Sequence, residues 1–99
     1  TYLVDAKGFS LYRFDKDAQG KSTCYAECAE KWPPALASAE QAKVGVGSAA
    51  DVGINLILRD DGNYQWSYRG QPLYRWIKDE QPGQSSGDGV KNVWHRVQL

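Results

Sequence analysis

The chain contains no methionine, one histidine, two phenylalanines and two cysteines in 99 residues. It has no excess of charge: twelve Lys and Arg stand against twelve Asp and Glu. That balance argues against a protein that tracks a nucleic-acid phosphate backbone, which needs clustered surplus cations. It argues equally against a polybasic patch for a membrane surface. No apolar run approaches the roughly 18 residues of a membrane span. With His95 as the sole imidazole, no serine or cysteine nucleophile has an evident base. A non-enzymatic role is therefore expected.

What the chain does have is aromatic mass, six Tyr and four Trp beside the two Phe. A chain of this length makes one domain, 1–99, and rings must supply much of its core. No charged start, apolar stretch and cleavage site precede Thr1, so the chain reads as a mature or trimmed product.

The strongest organising signal is an internal repeat. Gly8 to Asp17 aligns with Gly70 to Asp79 at an offset of 62 residues, identical at six of ten positions. Phe14 against Trp76 preserves a ring. One inserted residue then sets Gly20 and Ser22 opposite Gly83 and Ser85. Each copy reads as a turn, a strand and a polar loop. Tyr2 to Val4 and the following Asp5 to Gly8 read as a strand and hairpin connection. Leu56 to Arg59, the turn Asp60-Asp61-Gly62-Asn63 and Tyr64 to Tyr68 make a clearer hairpin. Tyr64, Trp66 and Tyr68 alternate with Gln65, Ser67 and Arg69, as in a half-buried strand. A meander then runs from 56 to 77, and Val93 to Leu99 adds a last strand. Ser22 or Thr23 is placed to cap a helix over Cys24 to Lys31, ended by Trp32-Pro33-Pro34. Ser38 to Lys43 reads as a further helical turn, and 44–53 and 79–92 as loops. The fold class is α+β: a sheet-dominated small domain with two related half-units, built as antiparallel hairpins, and one or two short helices.

These residues also carry a resemblance. Leu11 to Asp17, Cys24-x3-Cys28 and Trp32-Pro33-Pro34 form one set; Gly70 to Trp76, Pro82-Gly83, Gly87 to Val90 and Trp94-His95 form another. Together they resemble the bacterial family called "secreted repeat of unknown function", predicted lipoproteins with a Tyr-x-aromatic-x-x-Asp motif. Tyr12 to Asp17 and Tyr74 to Asp79 both match that motif. The resemblance implies export to the periplasm, outer membrane or cell surface, and membrane contact only through a lipidated N-terminal cysteine that this chain lacks. It implies no reaction.

Cys24 and Cys28 lie four apart, on one face of a helix and within reach of a disulfide. The alternative is a soft-metal site or redox accessory role in which Cys24, Cys28 and His95 hold copper or zinc. Asp15 and Asp17, like Asp79 and Asp88, read as turn-fixing acceptors; the first pair opens like a calcium loop that then fails at Gln19 and Ala26. Tyr12, Phe14, Tyr74 and Trp76 are the candidate ligand-binding aromatics. The expected function is a binding or scaffold role at the cell envelope without cofactor, the partner an envelope protein, glycan or small ligand.

Overall fold

The computed structural model describes residues 2–38, 40–41 and 53–98. The elements run β1 (Tyr12–Phe14), α1 (Glu27–Lys31), β2 (Ile54–Leu58), β3 (Tyr64–Tyr68), β4 (Gln71–Pro72), a 3-10 segment (Val90–Asn92) and β5 (Trp94–Arg96). Strands β2, β3 and β4 form an antiparallel meander, and β1 pairs antiparallel with β5. The result is an α+β domain dominated by short strands, as the hairpin signals indicated.

The β2–β3 turn closes where the sequence places it. Gly62 takes φ 89°, a backbone state that costs glycine no Cβ clash. Arg59 N–H donates to the Asn63 carbonyl at 2.8 Å. Asp61 accepts from the Asn63 N–H, which, with the Arg59 guanidinium, holds its carboxyl below the ordinary carboxylate range.

The centre of the molecule is a backbone pair between the two tyrosines of the repeated segment. Tyr12 N–H donates to the Tyr74 carbonyl at 2.8 Å, and Tyr74 N–H returns to Tyr12 at 2.9 Å. Outward from this pair, bonds recur between residues shifted by 62. Asp15 N–H reaches the Val93 carbonyl at 2.8 Å, and Ile77 N–H reaches Lys31 at 3.0 Å. Val97 N–H reaches Leu11 at 3.3 Å, and Ala35 N–H reaches Leu73 at 2.9 Å. Residues 11–15 are thus zipped to 93–97, while 73–77 are zipped to 31–35.

Alternation along these strands separates two cores. Tyr12, Tyr74, Cys24, Trp32, Trp76 and Trp94 pack on one side. Leu11, Leu73, Tyr68 and Val97 pack on the other. Burying each large side chain contributes about 1.5–3 kcal/mol, so the aromatic side carries the greater share.

Three expectations need correction. Strand β3 turns Gln65 and Ser67 fully inward, while Tyr64 is 41% exposed. The reason is Arg59, whose buried guanidinium donates to Gln65 Oε1 at 2.8 Å, to Ser22 Oγ at 3.0 Å and to the Cys24 carbonyl at 3.0 Å. A buried cation demands polar partners, and Gln65 supplies one while donating to the Leu73 carbonyl at 2.6 Å. Second, α1 starts at Glu27 and has no side-chain cap. Ser22 and Thr23 are committed elsewhere, as described below. Third, meander strand β4 is only two residues long, because Tyr74 leaves it to pair with Tyr12 and Pro34. Ser38 and Gln41 exchange N–H to side-chain bonds, which begins a turn at 40–41. The remainder of the predicted turn to Lys43, and most of loop 44–53, fall outside the described residues.

Candidate functional site

Each half of the repeat carries a Tyr and, five residues on, an Asp, and the hydroxyls cross between halves. Tyr12 donates to Asp79 Oδ2 at 2.6 Å, and Tyr74 donates to Asp17 Oδ2 at 2.7 Å. The second carboxylate oxygens are held in the same way in both halves. Asp17 Oδ1 accepts from Thr23 N–H and Oγ1 at 2.8 and 2.7 Å. Asp79 Oδ1 accepts from Ser86 N–H and Oγ at 3.0 and 2.7 Å. Tyr74 also meets the Ser22 hydroxyl, and Gly87 N–H donates to the Tyr12 oxygen at 3.2 Å.

Burial pushes both phenols above the ordinary tyrosine range. The bond to Asp79 pushes Tyr12 further, and that to Asp17 acts likewise on Tyr74. Both are therefore protonated donors at neutral pH. With no exposed surface at all, Tyr12 and Tyr74 do not contact a ligand, which corrects their place among the candidate binding aromatics. Their rings pack in the core and their hydroxyls fix the loops that follow each strand.

The other two candidates, Phe14 and Trp76, stand at the ends of a continuous ring stack. Phe14 lies 4.2 Å from Trp94, Trp94 lies 3.9 Å from Trp32, and Trp32 lies 4.1 Å from Trp76, the first two pairs near parallel and the last inclined by 28°. Trp32 and Trp94, again 62 apart, form the middle pair with planes inclined by 4°. Offset stacking at these separations adds about 0.5–1.5 kcal/mol per pair beyond area burial. Gly87 permits this packing: a Cβ there would lie 2.6 Å from Trp32 Cη2.

The stack floors a cleft of about 430 Å³, walled by Ile77, Val90 and Val93. Lys16, Lys31, Lys78 and Lys91 stand around it, with the Lys78 ammonium 5.8 Å from the Trp76 ring centre. The volume is within the range of small-ligand pockets. Trp32, Trp94 and the lysines were missing from the candidates read in the sequence. The signal was present in part, since Lys16 and Lys78 each follow their aromatic residue by two positions.

Cys24 and Cys28 form a disulfide with Cα atoms 5.2 Å apart. This overturns the alternative in which they join His95 around copper or zinc: the sulfurs are bonded to each other, and no thiolate is left to ligate. His95 instead bonds Asp15 Oδ2 at 2.8 Å, beside the Arg13–Asp15 ion pair at 2.6 Å. Among the described residues no three His, Cys, Asp or Glu side chains gather for a metal ion. Asp88 accepts from the Arg96 N–H at 3.1 Å, a loop-fixing role like those of Asp17 and Asp79. No helix of the described residues is long and apolar enough to cross a membrane.

The family described as "secreted repeat of unknown function" matches the chain over residues 1–36 and 55–98. No curated protein and no solved structure matches it.

Proposed function

The chain belongs to this family of exported bacterial repeats, and from that premise we propose that it is a non-enzymatic binding domain of the cell envelope whose receiving site is the ring-floored cleft. One observation carries the reading. The cleft gathers four stacked rings and four lysines drawn from separate segments into one recess. The buried side chains that join the two halves are occupied in holding the fold. Asp17, Asp79, Tyr12, Tyr74, Arg59 and Gln65 all spend their hydrogen bonds on other parts of the chain. The two halves act as related parts of one unit, each supplying an aromatic end to the stack.

The test is amide chemical-shift mapping of the labelled, disulfide-intact protein against fractionated envelope extract. Shifts clustered at Phe14, Lys16, Trp76, Lys78 and Val90 are the expected result. Shifts confined to the opposite side of the strands, around Leu3, Trp66 and Leu73, would overturn the assignment of the site.

A further inference from the structure

The rim of the cleft carries a charge that the molecule as a whole lacks. Its lining includes Lys16, Lys31, Lys78 and Lys91 against a single acid, Glu27, on a chain whose formal net charge is zero. All four lysines are exposed. None takes part in an ion pair among the described residues, whereas Lys21 and the cations Arg13, Arg59 and Arg75 do. Lys16 and Lys78 occupy the same place in the two repeated segments, so positive charge stands beside both ends of the ring stack.

Between these charges the surface is apolar. The rings, Ile77, Val90 and Val93 offer no hydroxyl, amide or carboxylate of the kind that would hold the hydroxyls of a neutral sugar. Lysine is a compact point charge without the planar fork of arginine, so it takes carboxylate, sulfonate or phosphate alike. Resting on the binding reading above, we infer that the cleft takes a small amphiphilic dianion. This ligand has an apolar, ring-containing body lying along the exposed edge of the stack, against Phe14, Ile77, Val90 and Val93, and an acidic group toward each end. A recess of about 430 Å³ sets its size at about two to four rings.

Three fluorescent probes that share one naphthalene body test this on the folded protein: naphthalene without charge, naphthalene-2-sulfonate with one sulfonate, and the bis-sulfonate naphthalene-2,6-disulfonate with one at each end. Binding at one site per chain, tightening with each sulfonate and weakening with salt, is expected. The double variant Lys16→Gln/Lys78→Gln should weaken the bis-sulfonate about tenfold, about threefold per exposed lysine. It should leave the uncharged probe within about twofold. Lys7→Gln/Lys21→Gln, outside the cleft, is the control and should change neither. Equal affinity for all three probes, or equal loss in both double variants, overturns the inference. So does poly-glutamate binding that fails to compete with the bis-sulfonate yet is lost in Lys16→Gln/Lys78→Gln, which would assign the lysines to an acidic polypeptide. If envelope extract shifts the cleft resonances while no probe does, the dianion is wrong and the binding site stands; shifts elsewhere remove both.

Discussion

Tyr12 donates its phenolic hydrogen to Asp79, 67 residues later in the chain and 2.6 Å away. The same bond is made in reverse by Tyr74 and Asp17. The Tyr-x-aromatic-x-x-Asp spacing is therefore met by two copies that exchange partners. Each tyrosine hydroxyl reaches through the core to the loop of the other copy, and each aspartate caps that loop with two further bonds.

Removing one hydroxyl leaves a buried carboxylate short of a donor. Tyr12→Phe should cost about 1–3 kcal/mol in urea unfolding, because Asp79 and the Gly87 N–H both lose a partner. A cycle with Asp79→Asn should show coupling of about 1 kcal/mol or more. Additive effects would mean that the bond contributes nothing.

Alkali should unfold the protein through these two phenols. Their folded pKa values are raised above the ordinary 10.0, so both keep their protons while the unfolded chain loses them. The stabilisation is fully present below pH 10 and falls as pH rises from there toward the folded values. Two such groups give a slope of about 2.7 kcal/mol per pH unit. Absorbance at the phenolate band, followed with circular dichroism, checks this. Ionisation of Tyr12 and Tyr74 should coincide with loss of structure, and Tyr12→Phe or Tyr74→Phe should shallow the slope by half.

The Cys24–Cys28 bridge closes a loop of only four residues' separation. In the chain-entropy view its removal by Cys24→Ala/Cys28→Ala should cost about 2 kcal/mol. The rings of the core remain in place, so the doubly substituted protein should still fold. A fully unfolded variant would show that the bridge carries more of the α1 region than its loop length allows.

Gly87→Ala tests the ring stack by intrusion. The new methyl would lie 2.6 Å from Trp32 and 2.9 Å from Trp76, so about 1–3 kcal/mol of overpacking is expected. A methyl at Gly20 meets nothing within 4 Å and faces only the strain of a positive φ. Thermal unfolding of both variants, read with tryptophan emission, separates the two effects: only Gly87→Ala should shift the emission.

The hairpin from Ile54 to Tyr68, the turn at Gly62 and the proximity of Cys24 to Cys28 were legible because each depends on residues near in sequence. The partner of Tyr12 was not. Spacing within one copy joins it to Asp17, but a strand residue points through the sheet rather than along it, so its hydroxyl finds the loop of the other copy. Arg59 and Gln65 were hidden for a similar reason. Alternation reports which residues share a face, and the more aromatic face of β3 looks like the inner one. A buried guanidinium held by Ser22, Gln65, the Cys24 carbonyl and Asp61 draws the polar face inward as well, while Tyr68 stays buried on the other face, and nothing local to Tyr64–Tyr68 records it. In the cleft, Phe14 and Trp76 were readable from the repeat, whereas the middle rings Trp32 and Trp94 meet only after the chain has crossed itself.

That crossing bears on how the protein arrives at its destination. Leu3 bonds to Val97 and Tyr12 to Tyr74, so almost none of the stabilising pairing is available to an N-terminal stretch emerging by itself. Long-range closure of this kind slows folding and delays it until the tail is present. A polypeptide that must be threaded through a membrane gains from such a layout: the leading portion can close only the short turn between Leu3 and Leu11 during transit, and the knot of rings is drawn tight only on the far side.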